Sequence, residues 1–291
     1  MRSMMFCLLG LVSFAASAAE WSVEKLWETE AVFKNPESAL NDGQRGVIYV
    51  SNVNGDANAK DGNGFISRLS PDGRVLELQW VTGLDGPKGL GRVGNKLYAA
   101  DIDTLVEIDI RRGKIIHRYE AAGAKFLNDV ATSRGGDVYV SDMVADRIYR
   151  LHDGKLEVWL ESPALENPNG LHVAGGRMIE GAWGVMSGGG FATPVPGHVK
   201  VISMQDKSIQ DFGGSQPIGN MDGIELLPDG QVLATDWMAG KLMTVAPDGR
   251  VSVLATLHQG TADIGYMSRK KIVLLPMMMD GTVIAYQLRS R

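Results

Sequence analysis

Val138-Tyr139-Val140-Ser141-Asp142 is a short β-type run that closes on an acid, and the rest of the chain repeats it. Val47-Ile48-Tyr49-Val50-Ser51-Asn52, Leu97-Tyr98-Ala99-Ala100-Asp101 and Val232-Leu233-Ala234-Thr235-Asp236 share its pattern. Ile272-Val273-Leu274-Leu275-Pro276 continues the series, and Met178-Ile179-Glu180-Gly181-Ala182-Trp183 fills the fourth place. The steps between these runs fall between about 39 and 54 residues, the period of four-stranded propeller blades rather than of helical repeats. Between them, Ser70-Pro71-Asp72-Gly73, Leu227-Pro228-Asp229-Gly230 and Ala246-Pro247-Asp248-Gly249 carry the chemistry of hairpin turns. No long, capped stretch of helical period supplies the crossovers that an α/β fold needs. The sequence therefore predicts an all-β, six-bladed β-propeller, with blades at 37–82, 83–121, 122–162, 163–213, 214–256 and 257–288. Trp21 to Glu28 alternates like a strand before the first blade; pairing with the last blade would close the ring and cover its edges.

The remaining composition sets the compartment and limits the partners. Arg2 precedes an apolar run from Met4 to about Ala15, and Ala16-Ser17-Ala18-Ala19 follows, the layout of a cleaved secretory signal peptide. The run is shorter than the ~20 residues of a membrane span, and no second one follows. The expected plan is a signal peptide over 1–18 and a single propeller domain over 19–291, periplasmic or secreted, with no membrane span in the mature chain. The single cysteine, Cys7, leaves with the signal, which excludes a thiol nucleophile, a zinc-thiolate site and disulfides. Lys plus Arg number 29 against 34 Asp plus Glu, a balance that argues against a nucleic-acid partner. Thirty-six glycines suit a turn-rich fold.

A second regularity lies about ten to twelve residues before the aromatic or apolar centre of each marker run: Glu37-Ser38-Ala39, Lys88-Gly89-Leu90, Asn128-Asp129-Val130, Asn169-Gly170-Leu171, Asp222-Gly223-Ile224 and Asp263-Ile264-Gly265. Each blade thus places a polar residue where its innermost strand begins, so Glu37, Lys88, Asn128, Asn169, Asp222 and Asp263 are expected around one channel mouth. Carboxylate and amide oxygens without Cys or clustered His suit a hard cation such as Ca2+ rather than zinc or copper. Carboxylates crowded on one axis raise each other's pKa unless a cation relieves them. Lys88 would neutralise Asp129 or Asp263, or meet substrate. Asp101, Asp142 and Asp236, which end marker runs, read as structural turn acids.

Phe126-Leu127-Asn128-Asp129, Pro168-Asn169-Gly170-Leu171, Asp222-Gly223-Ile224 with the following Leu-Pro-Asp-Gly, and Pro36-Glu37-Ser38 together resemble the gluconolactonase/senescence-marker-protein (SMP-30) family. The resemblance runs over essentially the whole mature chain. It implies a calcium-dependent lactonase: Glu37, Asn169 and Asp222 as metal ligands, Asn128 on metal or substrate, and Asp222 or Asp129 taking the proton of an attacking water. Sugar lactonases of that family carry an arginine where this chain has Phe126, and their sugar-binding glutamate has no match near Ser141 to Met143. Those departures point to a less hydroxylated lactone or ester. A non-catalytic propeller scaffold with a structural ion is the alternative.

Other segments read as structure. The five histidines lack metal spacing, and His172 alone lies near a motif. The loop from Gly55 to Gly64 fails the EF-hand pattern at Lys60 and Gly62. Met277-Met278-Met279 reads as core filling, since consecutive strand residues point to opposite faces. The glycine-rich stretch 187–197 is either a cover over a channel mouth or a wide turn.

Overall fold

A computed structural model describes residues 19–187, 191, 193–214 and 216–290, so the expected signal peptide lies outside the described residues. Strand β1 (Trp21–Glu28) comes first and stands apart from the first blade. Blade 1 follows as β2 (Pro36–Asp42), β3 (Val47–Asn52), β4 (Gly64–Leu69) and β5 (Val75–Leu84). Blade 2 is β6 (Pro87–Val93), β7 (Lys96–Asp101), β8 (Thr104–Asp109) and β9 (Lys114–Glu120). Blade 3 is β10 (Leu127–Thr132), β11 (Val138–Asp142), β12 (Arg147–His152) and β13 (Lys155–Glu161). Blade 4 is β14 (Pro168–Ala174), β15 (Arg177–Ala182), β16 (Val199–Ser203) and β17 (Ile209–Asp211). Blade 5 is β18 (Met221–Leu226), β19 (Val232–Asp236), β20 (Lys241–Val245) and β21 (Val251–Thr256). Blade 6 is β22 (Gly265–Met267), β23 (Ile272–Met277) and β24 (Thr282–Ser290), with β1 as its fourth strand.

The six four-stranded sheets make the expected six-bladed propeller. Its closure is the expected one: β1 runs antiparallel to β24 from Trp21↔Ser290 to Glu28↔Ile284. This seam joins the two ends of the described chain and covers the outer edge of β24. Among the described residues the sole helical element is a 3-10 turn at Pro163–Leu165.

The marker runs are the second strands of the blades. β7, β15 and β23 are buried at every position after the first, and β11 and β19 throughout. A second strand has a neighbouring blade on both faces, so its sequence reads as a continuous apolar run rather than an alternating one. The fourth strands alternate instead, as in β21. Six apolar clusters, one per blade interface, fill the gaps; Tyr49, Ile66, Leu97 and Val106 belong to the one between blades 1 and 2. Full burial of each such side chain stabilises the stack by about 1.5–3 kcal/mol.

Candidate functional site

The polar register of the sequence is a β-bulge in three dimensions. In β2 the pairing steps from Pro36↔Asn52 to Ala39↔Val50, so Glu37 and Ser38 together oppose Ser51. The same one-residue slip recurs at Lys88-Gly89, Asn128-Asp129, Asn169-Gly170 and Asp222-Gly223. In blade 6 it falls between Thr261↔Met277 and Gly265↔Leu274, around Asp263. A bulge twists its strand and re-aims side chains, which is how an edge strand can point consecutive residues along a channel. The extra N–H has a partner where the opposing residue has a hydroxyl. Ser51 Oγ accepts from Ser38 N at 2.9 Å, Ser141 Oγ from Asp129 N at 2.9 Å, and Thr235 Oγ1 from Gly223 N at 2.8 Å.

The acids at the ends of the second strands hold the segments that lead into these bulges. Asp101 accepts from Gly86 N at 2.7 Å, Asp142 from Phe126 N at 3.0 Å, and Asn52 Oδ1 from Lys34 N at 3.0 Å. Asp236 accepts from Ala239 N at 2.9 Å. These are the structural turn roles expected for Asp101, Asp142 and Asp236.

The bulges border two cavities. The upper one, of about 310 Å³, is lined by Glu37, Lys88, Asn128, Asn169 and Asp222. The lower one, of about 280 Å³, takes Ser38, Asp129 and Asp263. Five of the six expected ring members therefore share one mouth, and Asp263 faces the other. The reason is local: β22 begins only at Gly265, and the slip in blade 6 spreads over three residues. Asp263 Oδ2 accepts from Ser38 Oγ at 2.5 Å across the blade junction. Asp129, the second expected proton acceptor, also belongs to the lower cavity, where its carboxylate accepts from Val130 N and Leu171 N, both at 2.6 Å. Gly170 makes room for the upper set: a Cβ there would lie 1.8 Å from the carbonyl oxygen of Asp222.

Nine buried side-chain N and O atoms have no hydrogen-bond partner among the described residues. Four of them are Glu37 Oε2, Asn128 Oδ1, Asn169 Oδ1 and Asp222 Oδ1, all in the upper cavity. An orphaned buried acceptor costs about 1–3 kcal/mol, so a cluster of four at one mouth calls for a ligand. Asn128 is turned for this task, because its Nδ2 donates to Met143 Sδ at 3.6 Å and leaves Oδ1 on the channel side. Burial pushes Glu37 and Asp222 well above the carboxylate range; the charges of Asp222 and Asp129 add to this at Glu37, and that of Asp129 at Asp222. No cluster of three His, Cys, Asp or Glu side chains set for a metal occurs among the described residues. The set here is two carboxylates and two amide carbonyls, the donor chemistry of a hard divalent cation, and Ca2+ takes about 6–8 oxygens with room for water and substrate. The residues fit such an ion.

Lys88 is 3% exposed and donates to Ala57 O and Gly86 O, both at 3.1 Å. Its ammonium lies 4.3 Å from the centroid of the Phe126 ring. Burial lowers it to about 8, with Glu37, Asp101 and Asp56 acting in the opposite sense. Lys88 therefore faces Glu37 and the upper cavity rather than Asp129 or Asp263. An ammonium has three N–H groups, and one remains for a ligand.

The walls above the oxygen set are apolar, which the sequence reading missed. Val53, Met143, Trp183, Trp237 and Met278 line them, and each directly follows the end of a second strand. That shared position is the signal that finds them. Met277 fills the blade core as expected, whereas Met278 and Met279 line the chamber. From the 187–197 stretch Phe191 reaches the chamber, and Trp183 Nε1 donates to its carbonyl at 2.9 Å. His172 sits in the lower cavity, 3.0 Å from Glu225.

Fold and ring together define a six-bladed propeller with an oxygen-donor set at one channel mouth. No protein-family model matches the chain, and no curated protein matches it by sequence. Among solved structures it is similar to a gluconolactonase of Xanthomonas campestris, at 13% identity over 93% of this chain and 90% of that one, with a TM-score of 0.64. It is also similar to regucalcin of Agrobacterium tumefaciens, a calcium-binding protein, at 14% identity, 90% and 92% coverage and a TM-score of 0.65. Virginiamycin B lyase of Staphylococcus aureus aligns at 14% identity over 92% of this chain and 99% of that one, with a TM-score of 0.61. These likenesses are of fold.

Proposed function

We propose that the protein is a calcium-dependent hydrolase of a lactone or related ester, acting at the upper mouth. The observation that carries this is the convergence of four orphaned buried oxygens, from Glu37, Asn128, Asn169 and Asp222, at the opening of one cavity. These four residues would hold the cation, which supplies Lewis-acid polarisation of a carbonyl. The fold likeness to a gluconolactonase and to a calcium-binding propeller supports the same reading.

The chain's own groups then divide the work. Asn128, fixed through Met143, keeps its Oδ1 turned to the oxygen ring. Lys88 directs its remaining N–H at the oxygen that gains negative charge as water attacks. Asp222, whose Oδ1 has no hydrogen-bond partner among the described residues, takes the proton of that water. The new C–O bond forms, the ring C–O bond breaks, and the departing alkoxide recovers a proton from Asp222. The product is the open hydroxy acid. Export through the 1–18 leader would place this chemistry in the periplasm or outside the cell, where calcium is plentiful.

The test is a lactone and ester panel run with calcium and with chelator, beside a melting curve under the same conditions. Calcium-dependent turnover supports the proposal. A calcium-induced rise in Tm with no turnover across sugar lactones, apolar lactones and phosphotriesters would assign the ring to a non-catalytic calcium-binding scaffold.

A further inference from the structure

The upper chamber also carries information about what the ring acts on. The six blade interfaces each have their own apolar cluster, which accounts for the stacking of the fold. A seventh cluster, Phe126, Met143 and Trp183 with Ala57, Met186 and Trp237 against it, lies at the channel mouth instead. Its members come from blades 1, 3, 4 and 5 and their connections, so they meet over the oxygen set rather than within one interface. Phe191 packs on Phe126 and Trp183 at centroid distances of 5.5 and 6.2 Å, and Trp183 on Trp237 at 6.0 Å. The blade repeat thus builds two tiers, one of oxygens and one of hydrocarbon.

Several polar groups in the hydrocarbon tier are already engaged. Asn35 Nδ2 donates to Met278 O at 3.5 Å, and its Oδ1 accepts from Gly55 N at 3.3 Å. Lys88 spends two of its three N–H groups on Ala57 and Gly86. A polyhydroxylated ring would bury most of its hydroxyls against Trp, Phe and Met without partners, and a site built that way discriminates strongly against them. A cavity of about 310 Å³ holds a small molecule.

We propose that the substrate is an apolar lactone or ester, its carbonyl on the oxygen ring and an aryl or short alkyl body against Phe126, Trp183 and Trp237. This rests on the hydrolase reading above, and the experiment separates the two. Steady-state hydrolysis of dihydrocoumarin, δ-nonalactone and glucono-δ-lactone is measured on the calcium-loaded full chain. In parallel, calorimetry measures binding of the non-hydrolysable lactams of dihydrocoumarin and of gluconolactone. We expect kcat/KM for the two apolar lactones to exceed that for glucono-δ-lactone by about a hundredfold, within the range apolar pockets reach. The apolar lactam should bind and the sugar lactam should not. Trp237→Ser and, as a milder change at a more buried position, Met143→Gln should each narrow the kinetic preference by about tenfold. Equal or better turnover of glucono-δ-lactone overturns the substrate assignment and leaves the hydrolase reading standing. Binding of the apolar lactam without turnover of any lactone overturns the hydrolase reading and keeps the apolar chamber. Failure of the apolar lactam to bind overturns the chamber assignment whatever the kinetics.

Discussion

The two mouths of the channel are built from neighbouring residues of the same bulges, yet they end in opposite states. Below, the carboxylates are held by neighbours, and the Tyr266 hydroxyl is the buried lining atom left without a partner among the described residues. Asp129 holds two backbone N–H groups, Asp263 holds the Ser38 hydroxyl, and Glu225 holds His172. Above, four buried oxygens face each other without partners, under a roof of Phe, Trp and Met side chains. Carboxylates are present at both mouths, so acid content alone does not mark a site. What marks it is four unsatisfied oxygens lining one cavity, because native structures pair nearly all buried polar groups.

The largest effect should come from breaking this asymmetry at Asp222. Asp222→Asn removes the proton acceptor and one charge of the donor set, and lactone hydrolysis should fall by about 10²–10⁴-fold, the usual worth of a positioned acid–base group. The matching change below, Asp263→Asn, should cost much less activity, because Asp263 lines the other cavity and its carboxylate is already engaged by Ser38. Comparable losses from both would erase the distinction between the mouths. Next in size is Lys88→Met, which keeps the apolar stem and removes the ammonium. Losing one donor to a developing oxyanion typically costs about 10²–10³-fold in kcat, and KM should change less.

Gly170→Ala tests how the upper tier is positioned. Its Cβ would collide with the Asp222 carbonyl, so the backbone carrying that ligand must shift. A stability loss of about 1–3 kcal/mol is expected by calorimetry, together with weaker calcium binding.

The smaller effects lie in pH dependence, where the cation-free fold loses stability at both mouths as pH rises while calcium binding gains. Glu37 and Asp222 are raised chiefly by burial. The cation-free fold therefore holds protons that the unfolded chain has already lost, and its stability falls as pH rises through the raised values. Calcium needs the charged carboxylates, so its affinity and the Tm increment it gives should grow as pH rises above the ordinary carboxylate range. At the lower mouth burial opposes the charge of His172, but Glu225 and Asp129 outweigh it and raise the imidazolium overall. That contribution is complete below the unfolded value and fades as pH climbs through the folded one. His172→Asn should cost less than about 1 kcal/mol, and only on the acid side of this window.

Much of this architecture is legible in the chain itself. The second strands announce the blades because both their faces are buried, which turns alternation into unbroken apolar runs such as Val138 to Val140. The oxygen ring is legible because each bulge starts at a fixed offset from such a run. The place of Asp263 is not, since its innermost strand starts late and the slip is spread over three residues. Nor is the division of Asn128 from Asp129 between two cavities, which depends on a bulge that periodicity does not encode. The hydrocarbon roof escaped notice for another reason. Met143, Trp183 and Trp237 sit just past the ends of second strands, where one large apolar residue looks incidental until the blades set several side by side.

The most direct measurement is a calcium titration of the full chain by calorimetry, read beside hydrolysis of an apolar lactone with and without EGTA. One calcium per chain is expected, with turnover that vanishes in EGTA, returns with calcium and is lost together with binding in Asp222→Asn. Hydrolysis at full rate in EGTA, or a wild-type chain that binds no calcium, would contradict the assignment of the four upper oxygens.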